Sequence, residues 1–303
     1  MTIQQPGTLP TRTEIAAPES EAVEQRASRA GNPRRSGGLP WPATLALRLI
    51  VPSVILLVWW WLSARPQIGL FVVDPVTAFH RSFTEFLSGD PSRFFLGDAT
   101  YQDLFPSVRR ALAGLGIAIV AGVAVGILLG ISPVLTALFQ PMVHLGRSLP
   151  SPALLGVFFF LFGIGNSPKI FLIAFSVVWP ILLNTIDGVN SIGAARAQAA
   201  QVFRIPGRDV LFHIILPGAS PKIFAGIRTS LSFSLILMII SELQKSENGL
   251  GYLLIQSQRD FDYASFWAVL VVLVVLGVVF NFIFLFIERR VLAWHRGATA
   301  QND

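Results

Sequence analysis

Long apolar segments alternate with short polar connections along most of this chain. A transmembrane helix needs about 20 consecutive, mostly apolar residues, and six segments approach or exceed that length. The pattern therefore predicts an all-α polytopic membrane protein whose transmembrane domain covers residues 41–303. Its six spanning helices are predicted over residues 45–62, 104–131, 134–164, 169–186, 223–243 and 266–287.

Residues 1–40 differ in composition from the rest of the chain. They are rich in Pro, Ser, Glu, Gln and Arg and contain almost no large apolar side chains. Such a segment buries too little apolar surface to offset the entropy cost of ordering, so we predict a disordered cytoplasmic tail. Four arginines near its end either contact anionic lipid or act as a topology signal: Arg26, Arg29, Arg34 and Arg35.

Basic residues indicate the orientation in the membrane, because cytoplasmic connections carry an excess of Lys and Arg. Arginines flank the first and last predicted spans, and a connector over residues 187–222 carries four more basic residues: Arg196, Arg204, Arg208 and Lys222. Arg109, Arg110 and Lys169 lie on the opposite side. The balance predicts that both termini and the connector are cytoplasmic.

The second predicted span carries a small residue at every fourth position: Gly114, Ala118, Gly122, Gly126 and Gly130. This spacing places them on one helical face, where another helix can approach closely. The contact is either one that moves during function or static close packing.

Two features of the spans point to a translocation pathway. Ser148, Pro150, Ser151 and Pro152 interrupt the third span, and the freed backbone groups survive in lipid only where protein or a water-filled cavity covers them. Glu242 is an acidic residue near the outer end of the fifth span, and ionisable residues within spans mark ion or substrate routes. We therefore predict that these five residues line the pathway.

Composition agrees with a membrane protein. Residues of the AVILMFWYC set make up 53% of the chain and charged residues 13%, against about 25% charged residues in soluble domains. The net charge of +6 would suit nucleic acid, but the basic residues lie beside the apolar segments, as anchoring charges do. We expect lipid rather than nucleic acid as a partner.

The chain lacks the sequence motifs of several kinds of catalytic or metal site. It contains no cysteine, which rules out disulfides and thiolate ligands. It has no Gly-x-x-x-x-Gly-Lys phosphate loop, no H-E-x-x-H pair and no G-x-S-x-G elbow. We predict that the protein is not an enzyme and holds no metal or cofactor of its own.

The connector is more structured than a plain loop. Residues 194–200 are rich in alanine and favour a helix, which Pro206 and Gly207 are expected to end. A second short helix follows, with an apolar stripe of helical period: Val210, Leu211, Ile214 and Ile215. Leu216 and Pro217 are expected to close it. Such a pair of helices either docks in a partner's groove or rests on lipid.

These residues carry a resemblance to a known family. Gln198, Ala199 and Ala200, followed by Ile214-x-Leu216-Pro217, resemble the EAA loop of ABC importer permeases. That loop has Glu-Ala-Ala, a Gly four residues later, and then Ile-x-Leu-Pro. The stretches RSLPSPALLGVFFFLFGIGNSPKIF (147–171) and ENGLGYLLIQSQRDF (247–261), with LPGASPKIFAGIRTSL after the loop, are similar to the nitrate/sulfonate/taurine branch.

The chain departs from the family pattern at two positions. Gln198 stands where the family has Glu, and Arg204 stands where it usually has Gly. If that position adopts a positive φ, Arg204 is strained there; alternatively, Pro206 and Gly207 supply the turn.

The resemblance implies a type I importer (MetI-like) fold in the bacterial inner membrane. It implies two permease copies, a cytoplasmic ATPase dimer that binds ATP and Mg²⁺, and an external substrate-binding protein. The coupling contact would be made by Gln198, Ala199, Ala200, Phe203, Arg204, Pro206, Gly207, Leu216 and Pro217. The implied function is ATP-driven import of a small anionic or organic solute: a sulfonate, nitrate, a taurine-like or an aromatic compound. The alternative is an ion-coupled secondary transporter.

Overall fold

The computed structural model describes residues 41–192 and 202–293, and within these ranges the chain is helical without β-strands. The helices are α1 (Trp41–Ser63), α2 (Pro75–Phe86), α3 (Phe105–Ile131), α4 (Pro133–Ser148), α5 (Leu155–Phe162), α6 (Ser167–Asn190), α7 (Leu216–Glu242), α8 (Leu250–Arg259) and α9 (Tyr263–Val291). Short helical turns join some of them: Pro91–Arg93, Thr100–Leu104, Ser151–Leu154, Gly207–Asp209 and Val210–Ile215.

The chain divides after Leu57 into two units. In the first unit, the described residues are those of α1 up to Leu57. The second unit contains the end of α1 and all the other helices. The contacts described below lie within this second unit.

Four helical stretches in the described ranges are long and apolar enough to cross a membrane. They are Thr100–Ile131, Ser167–Asn190, Gly207–Glu242 and Tyr263–Val291. The pair α4 and α5 forms a fifth candidate that is bent by 86°, and Leu49–Ser63 of α1 is a shorter apolar helix. The all-α membrane fold is confirmed, while the count of six spans stays a prediction.

Small residues allow α3 to lie close against α6. A Cβ atom added at Gly114 would lie 2.7 Å from the Cβ of Ile173, and one at Gly126 would lie 2.6 Å from the Cβ of Thr185. Gly122 and Gly130 meet Ile181 and Val189 in the same way. Since both series ascend together, the two helices run parallel. The predicted close approach along this face is confirmed.

Helix α7 packs antiparallel on another side of α6. Ser230 donates a hydrogen bond from its hydroxyl to the carbonyl oxygen of Val177 at 2.7 Å. A Cβ atom at Gly226 would lie 2.9 Å from the carbonyl oxygen of Pro180. Together α3, α6, α7 and α9 enclose the main apolar core, which includes Ala111, Ile173, Val177, Ile181, Met238 and Phe284.

Two aspartates fix the starts of α2 and α9. Asp74 accepts a hydrogen bond from the backbone N–H of Thr77 at 3.0 Å, and Asp262 accepts one from that of Ser265 at 3.1 Å. Hydrogen bonding to Thr77 lowers the pKa of Asp74. Burial acts to raise the pKa of Asp262, but hydrogen bonds from Ser265 outweigh it and the pKa lies below its usual value. Both caps favour the ionised carboxylate.

We expect Gly126→Ala to destabilise the protein by about 1–3 kcal/mol, because the added methyl group forces α3 away from Thr185. The matched control is Gly116→Ala on the exposed face of the same helix, where an added Cβ meets nothing within 4 Å. Thermal unfolding in detergent micelles measures both. Equal melting temperatures for the two variants would show that the close approach does not matter for stability.

Candidate functional site

The break in the third predicted span forms one wall of a cavity. Pro150 and Pro152 lack backbone N–H donors, and the chain turns by 86° between α4 and the helical segment Ser151–Phe162. The cavity has a volume of about 520 Å³ and lies between this bend, α6 and α7. Ser151 and Pro152 line it, whereas Ser148 and Pro150 are exposed beside it.

The cavity lies well inside the length of the spanning helices. Ser176 lines it from α6, nine residues after Ser167, and Phe233 lines it from α7, nine residues before Glu242. At a rise of about 1.5 Å per residue, each contact lies roughly 13 Å from the end of its helix. The start of α6 and the end of α7 lie at the same side of the bundle. The cavity therefore extends from the middle of the span toward that side.

Arg147 lines the same cavity from the last turn of α4. Its side chain is exposed, and the described ranges contain no hydrogen-bond or ion-pair partner for its guanidinium. Among the described lining residues it is the one with a charge. Arg147 was not among the residues predicted to line the pathway, although it lies within the third predicted span.

Ser176 and Trp179 line the α6 side of this cavity. The Nε1 atom of Trp179 is buried without an acceptor among the described residues, and such an unmet donor costs about 1–3 kcal/mol. Ser176 donates its hydroxyl hydrogen to the carbonyl oxygen of Leu172 at 2.7 Å, so it offers lone pairs. Most of the remaining wall is apolar, as at Leu183 and Ile236.

Glu242 was expected to line the pathway together with the bend, but the structure places it elsewhere. It does not line the cavity and is only 1% exposed. Its Oε1 atom forms an ion pair with Nη1 of Arg110 at 2.5 Å, and Ser107 donates a hydrogen bond to its Oε2 atom at 2.8 Å. The backbone N–H of Gly251 donates to Oε2 at 3.0 Å. Each carboxylate oxygen is thus already occupied by donors from the chain.

The cluster around this ion pair joins several elements at one end of the bundle. Arg110 of α3 donates through Nε to Asn166, just before α6, at 2.7 Å. It also donates to the backbone carbonyl oxygen of Asn248 at 3.1 Å. Gly249 in that loop has φ +118°, and a Cβ there would lie 2.5 Å from Glu242, so glycine is required. The sequence analysis used Arg110 to judge orientation and missed this pairing.

The connector leaves the opposite end of the bundle, where Lys222 donates to the carbonyl oxygen of Asp187 at 3.0 Å. Gln198, Ala199 and Ala200 lie outside the described residues. Four other predicted coupling residues are exposed: Phe203, Arg204, Pro206 and Gly207. Phe203 is 77% exposed.

Arg204 adopts a left-handed backbone conformation with φ 49°. This is the strained state foreseen for a side chain at the family's glycine position. Gly207 is not among the positive-φ residues in the described ranges. The left-handed turn therefore stays at position 204 and is not transferred to Gly207.

Leu216 and Pro217 do not close the connector, contrary to expectation, because they start α7. Proline fits the first turn of a helix, where its missing N–H is not needed. The chain before it is widened into a π-helical turn, and the N–H of Leu216 donates to the carbonyl oxygen of Leu211. Ile215 and Leu216 pack against Val189, Ala219 and Ile223, so this end of the apolar stripe faces the protein.

The described chain thus has a bent span, a cavity beside the bend and, between two spans, a connector whose residues 202–209 are exposed. Residues 118–293 match the family described as "Binding-protein-dependent transport system inner membrane component". This match covers more than half of the chain, and the chain belongs to this family of ABC importer permeases. ATP hydrolysis is performed by a separate subunit in such systems, so this chain is a transporter subunit and not an enzyme.

Several curated permeases are similar to the chain. It is 32% identical over 265 residues to the Taurine transport system permease protein TauC of Escherichia coli (strain K12), covering 84% of this chain and 92% of that one. It is 26% identical over 246 residues to the Putative aliphatic sulfonates transport permease protein SsuC of Bacillus subtilis (strain 168), covering 81% and 86%. The Nitrate import permease protein NrtB of Leptolyngbya laminosa is 27% identical over 203 residues, covering 66% and 73%.

A solved structure shares the fold. A chain of the MetNI methionine ABC transporter, in an inward-facing conformation, superposes with a TM-score of 0.55 at 20% identity. The match covers 62% of this chain and 94% of that chain. The type I importer fold is thereby confirmed.

We expect Glu242→Gln to destabilise the protein by about 3–5 kcal/mol, because it leaves the buried Arg110 guanidinium without its counter-charge. Chemical unfolding in detergent micelles measures the change. Arg109→Gln is the matched control, since this neighbouring arginine is exposed and its loss should cost at most about 0.5 kcal/mol. The double variant Arg110→Gln with Glu242→Gln should cost less than the sum of the single changes. Additive costs would contradict the coupling.

We expect Arg204→Gly to stabilise the connector by about 1 kcal/mol, because glycine adopts a left-handed conformation without the clash of a Cβ atom. Arg204→Ala keeps that clash and should give no such gain. Gly207→Ala should be tolerated, since an added Cβ meets nothing within 4 Å. Amide hydrogen exchange over residues 202–210 reports all three. A larger change in hydrogen exchange for the Gly207 variant than for the Arg204 variants would show that the left-handed turn lies at Gly207 and not at Arg204.

Proposed function

We propose that this permease carries a small oxyanion, such as a sulfonate or nitrate, into the cytoplasm of a bacterial cell. The observation that carries the proposal is the family match over residues 118–293, which contains both the bend and the connector. The names of the similar permeases specify taurine, aliphatic sulfonates and nitrate. These substrates share an anionic group with several oxygen atoms. A substrate-binding protein on the outer side delivers the solute.

The proposed complex contains two identical copies of the chain and a dimer of cytoplasmic ATPase subunits that bind ATP and Mg²⁺. Residues 194–217 form the contact with the ATPase. The exposure of Val202 and Phe203, each at 77%, and of Phe212 at 54% supports this, because a cleft in a partner would remove these apolar side chains from water.

Both termini and the connector face the cytoplasm in this proposal, and residues 1–40 form a cytoplasmic tail. Basic residues support the orientation: Arg204, Arg208 and Lys222 lie at the connector, and Arg289 and Arg290 at the end of α9. Helix α1 is then the first span. Together with the four long spans and the bent pair of α4 and α5 counted as one, this gives six spans in all. The predicted disorder of the tail stays a prediction.

The arrangement suggests how a movement of the connector is transmitted to the cavity. The connector joins α6 to α7, and both helices line the cavity. At the far end, the Arg110–Glu242 pair ties α3 to α7. Movement of the connector therefore pivots α6 and α7 about a fixed end. The ATPase must bind one of the two resulting states more tightly, or no net movement follows.

The experiment combines cross-linking with uptake. Because the chain contains no cysteine, Phe203→Cys provides a single thiol for a bifunctional reagent. We expect a cross-link to the ATPase subunit, while Phe160→Cys, an equally conservative change at a phenylalanine that is 89% exposed on α5, should give none. Phe203→Ala should lower ATP-driven taurine uptake into proteoliposomes about tenfold or more, because loss of a buried aromatic anchor costs about 2 kcal/mol.

The uptake measurement also separates the alternative mechanism. Proteoliposomes that contain the permease, the ATPase and the binding protein should take up taurine, sulfonates or nitrate only with ATP. Uptake driven by an ion gradient without the ATPase would overturn the proposal in favour of a secondary transporter. Absence of a cross-link from position 203 would overturn the assigned coupling surface.

A further inference from the structure

The position of Arg147 is physically unusual. It lies in the apolar segment that forms the third predicted span, is exposed, and has no partner for its guanidinium in the described ranges. A cation within a membrane span costs several kcal/mol unless it faces water or an opposite charge. The guanidinium instead has the cavity of about 520 Å³ at the bend to face.

A second copy of the chain cannot easily supply the missing negative charge. The six predicted spans contain one acidic residue, Glu242, and its carboxylate is already bound by Arg110, Ser107 and the N–H of Gly251. No Asp or Glu occurs between residues 111 and 186. The predicted spans therefore offer no free carboxylate as a counter-charge for Arg147.

We propose that Arg147 forms an anion-binding site inside the translocation pathway, where it receives the oxyanion group of the solute, with Ser151 and Trp179 beside it. This rests on the proposed function in one respect: the solute is an oxyanion carried by this chain. A guanidinium presents several N–H donors in one plane and binds sulfonate or carboxylate oxygens in pairs.

Three features of the cavity fit this ligand class. Its volume falls in the range of small-molecule sites. Among its described lining residues, Arg147 alone is charged and no carboxylate opposes it. The hydroxyl of Ser151, for which the described residues give no hydrogen-bond partner, supplies a further donor on the same cavity wall.

The test uses the charge of a thiol reagent as the probe. Ser151→Cys places a single thiol beside Arg147 in a chain without other cysteines. Labelling rates are measured in the reconstituted permease complex with three methanethiosulfonates: anionic sulfonatoethyl, cationic trimethylammonioethyl and neutral methyl. We expect the anionic reagent to react about tenfold or more faster than the cationic one, relative to the aqueous thiol, because the positive charge of Arg147 lines the same cavity as position 151.

Arg147→Gln in the Ser151→Cys background should abolish this preference, and Arg147→Lys should preserve it. Arg109→Gln is the matched control, since this exposed arginine does not line the cavity, and it should leave the preference unchanged. An unaltered rate with the neutral reagent shows that each variant is folded around the cavity.

Two results would overturn the site. A thiol at position 151 that reacts with none of the reagents means that the cavity holds no water, and an anionic preference that survives Arg147→Gln means that its charge is not felt. Because labelling needs neither ATP nor transport, these outcomes are independent of the uptake and cross-linking results. Failure of uptake would refute the proposed function and leave the anion preference standing.

Discussion

The parallel contact between α3 and α6 is the interaction on which the other parts of this permease depend. Lipid is as apolar as a leucine side chain, so helices in a membrane associate through close packing rather than through the hydrophobic effect. Gly114, Gly122, Gly126 and Gly130 let the two backbones approach. Because α3 covers one side of α6, the other sides of α6 can contact α7 and the bend. One wall of the cavity is thereby formed by a helix that packs closely against α3 along its length.

The two ends of this core have different chemistry. At one end, a buried ion pair and loop hydrogen bonds join α3, α7 and the residues before α6, which favours movement of these elements as one body. At the other end, the exposed connector and its left-handed residue Arg204 leave a surface without a large apolar core. Helices that are joined at one end and accessible at the other can be moved by a partner that binds the accessible end.

Much of the fold could be predicted because helix length and small-residue spacing are local properties of the sequence. The bend followed from Pro150 and Pro152 for the same reason. The Arg110–Glu242 pair could not be predicted, because its members are 132 residues apart and each alone resembles an interfacial charge. Arg147 was missed because a lone cation is informative only when its neighbours in space are known. The start of α7 was misplaced because Pro217 suits a helix start as well as an end.

The scarcity of acidic residues in the spans has a consequence for the energy balance of the cell. A passage whose fixed charge is positive attracts anions and repels protons, sodium and potassium. The described residues that line the cavity include no carboxylate that could pass protons from site to site, and Glu242 is sealed within its ion pair with Arg110. In the pathway proposed above, each opening would admit its anionic solute while the gradients of small cations across the membrane stay intact.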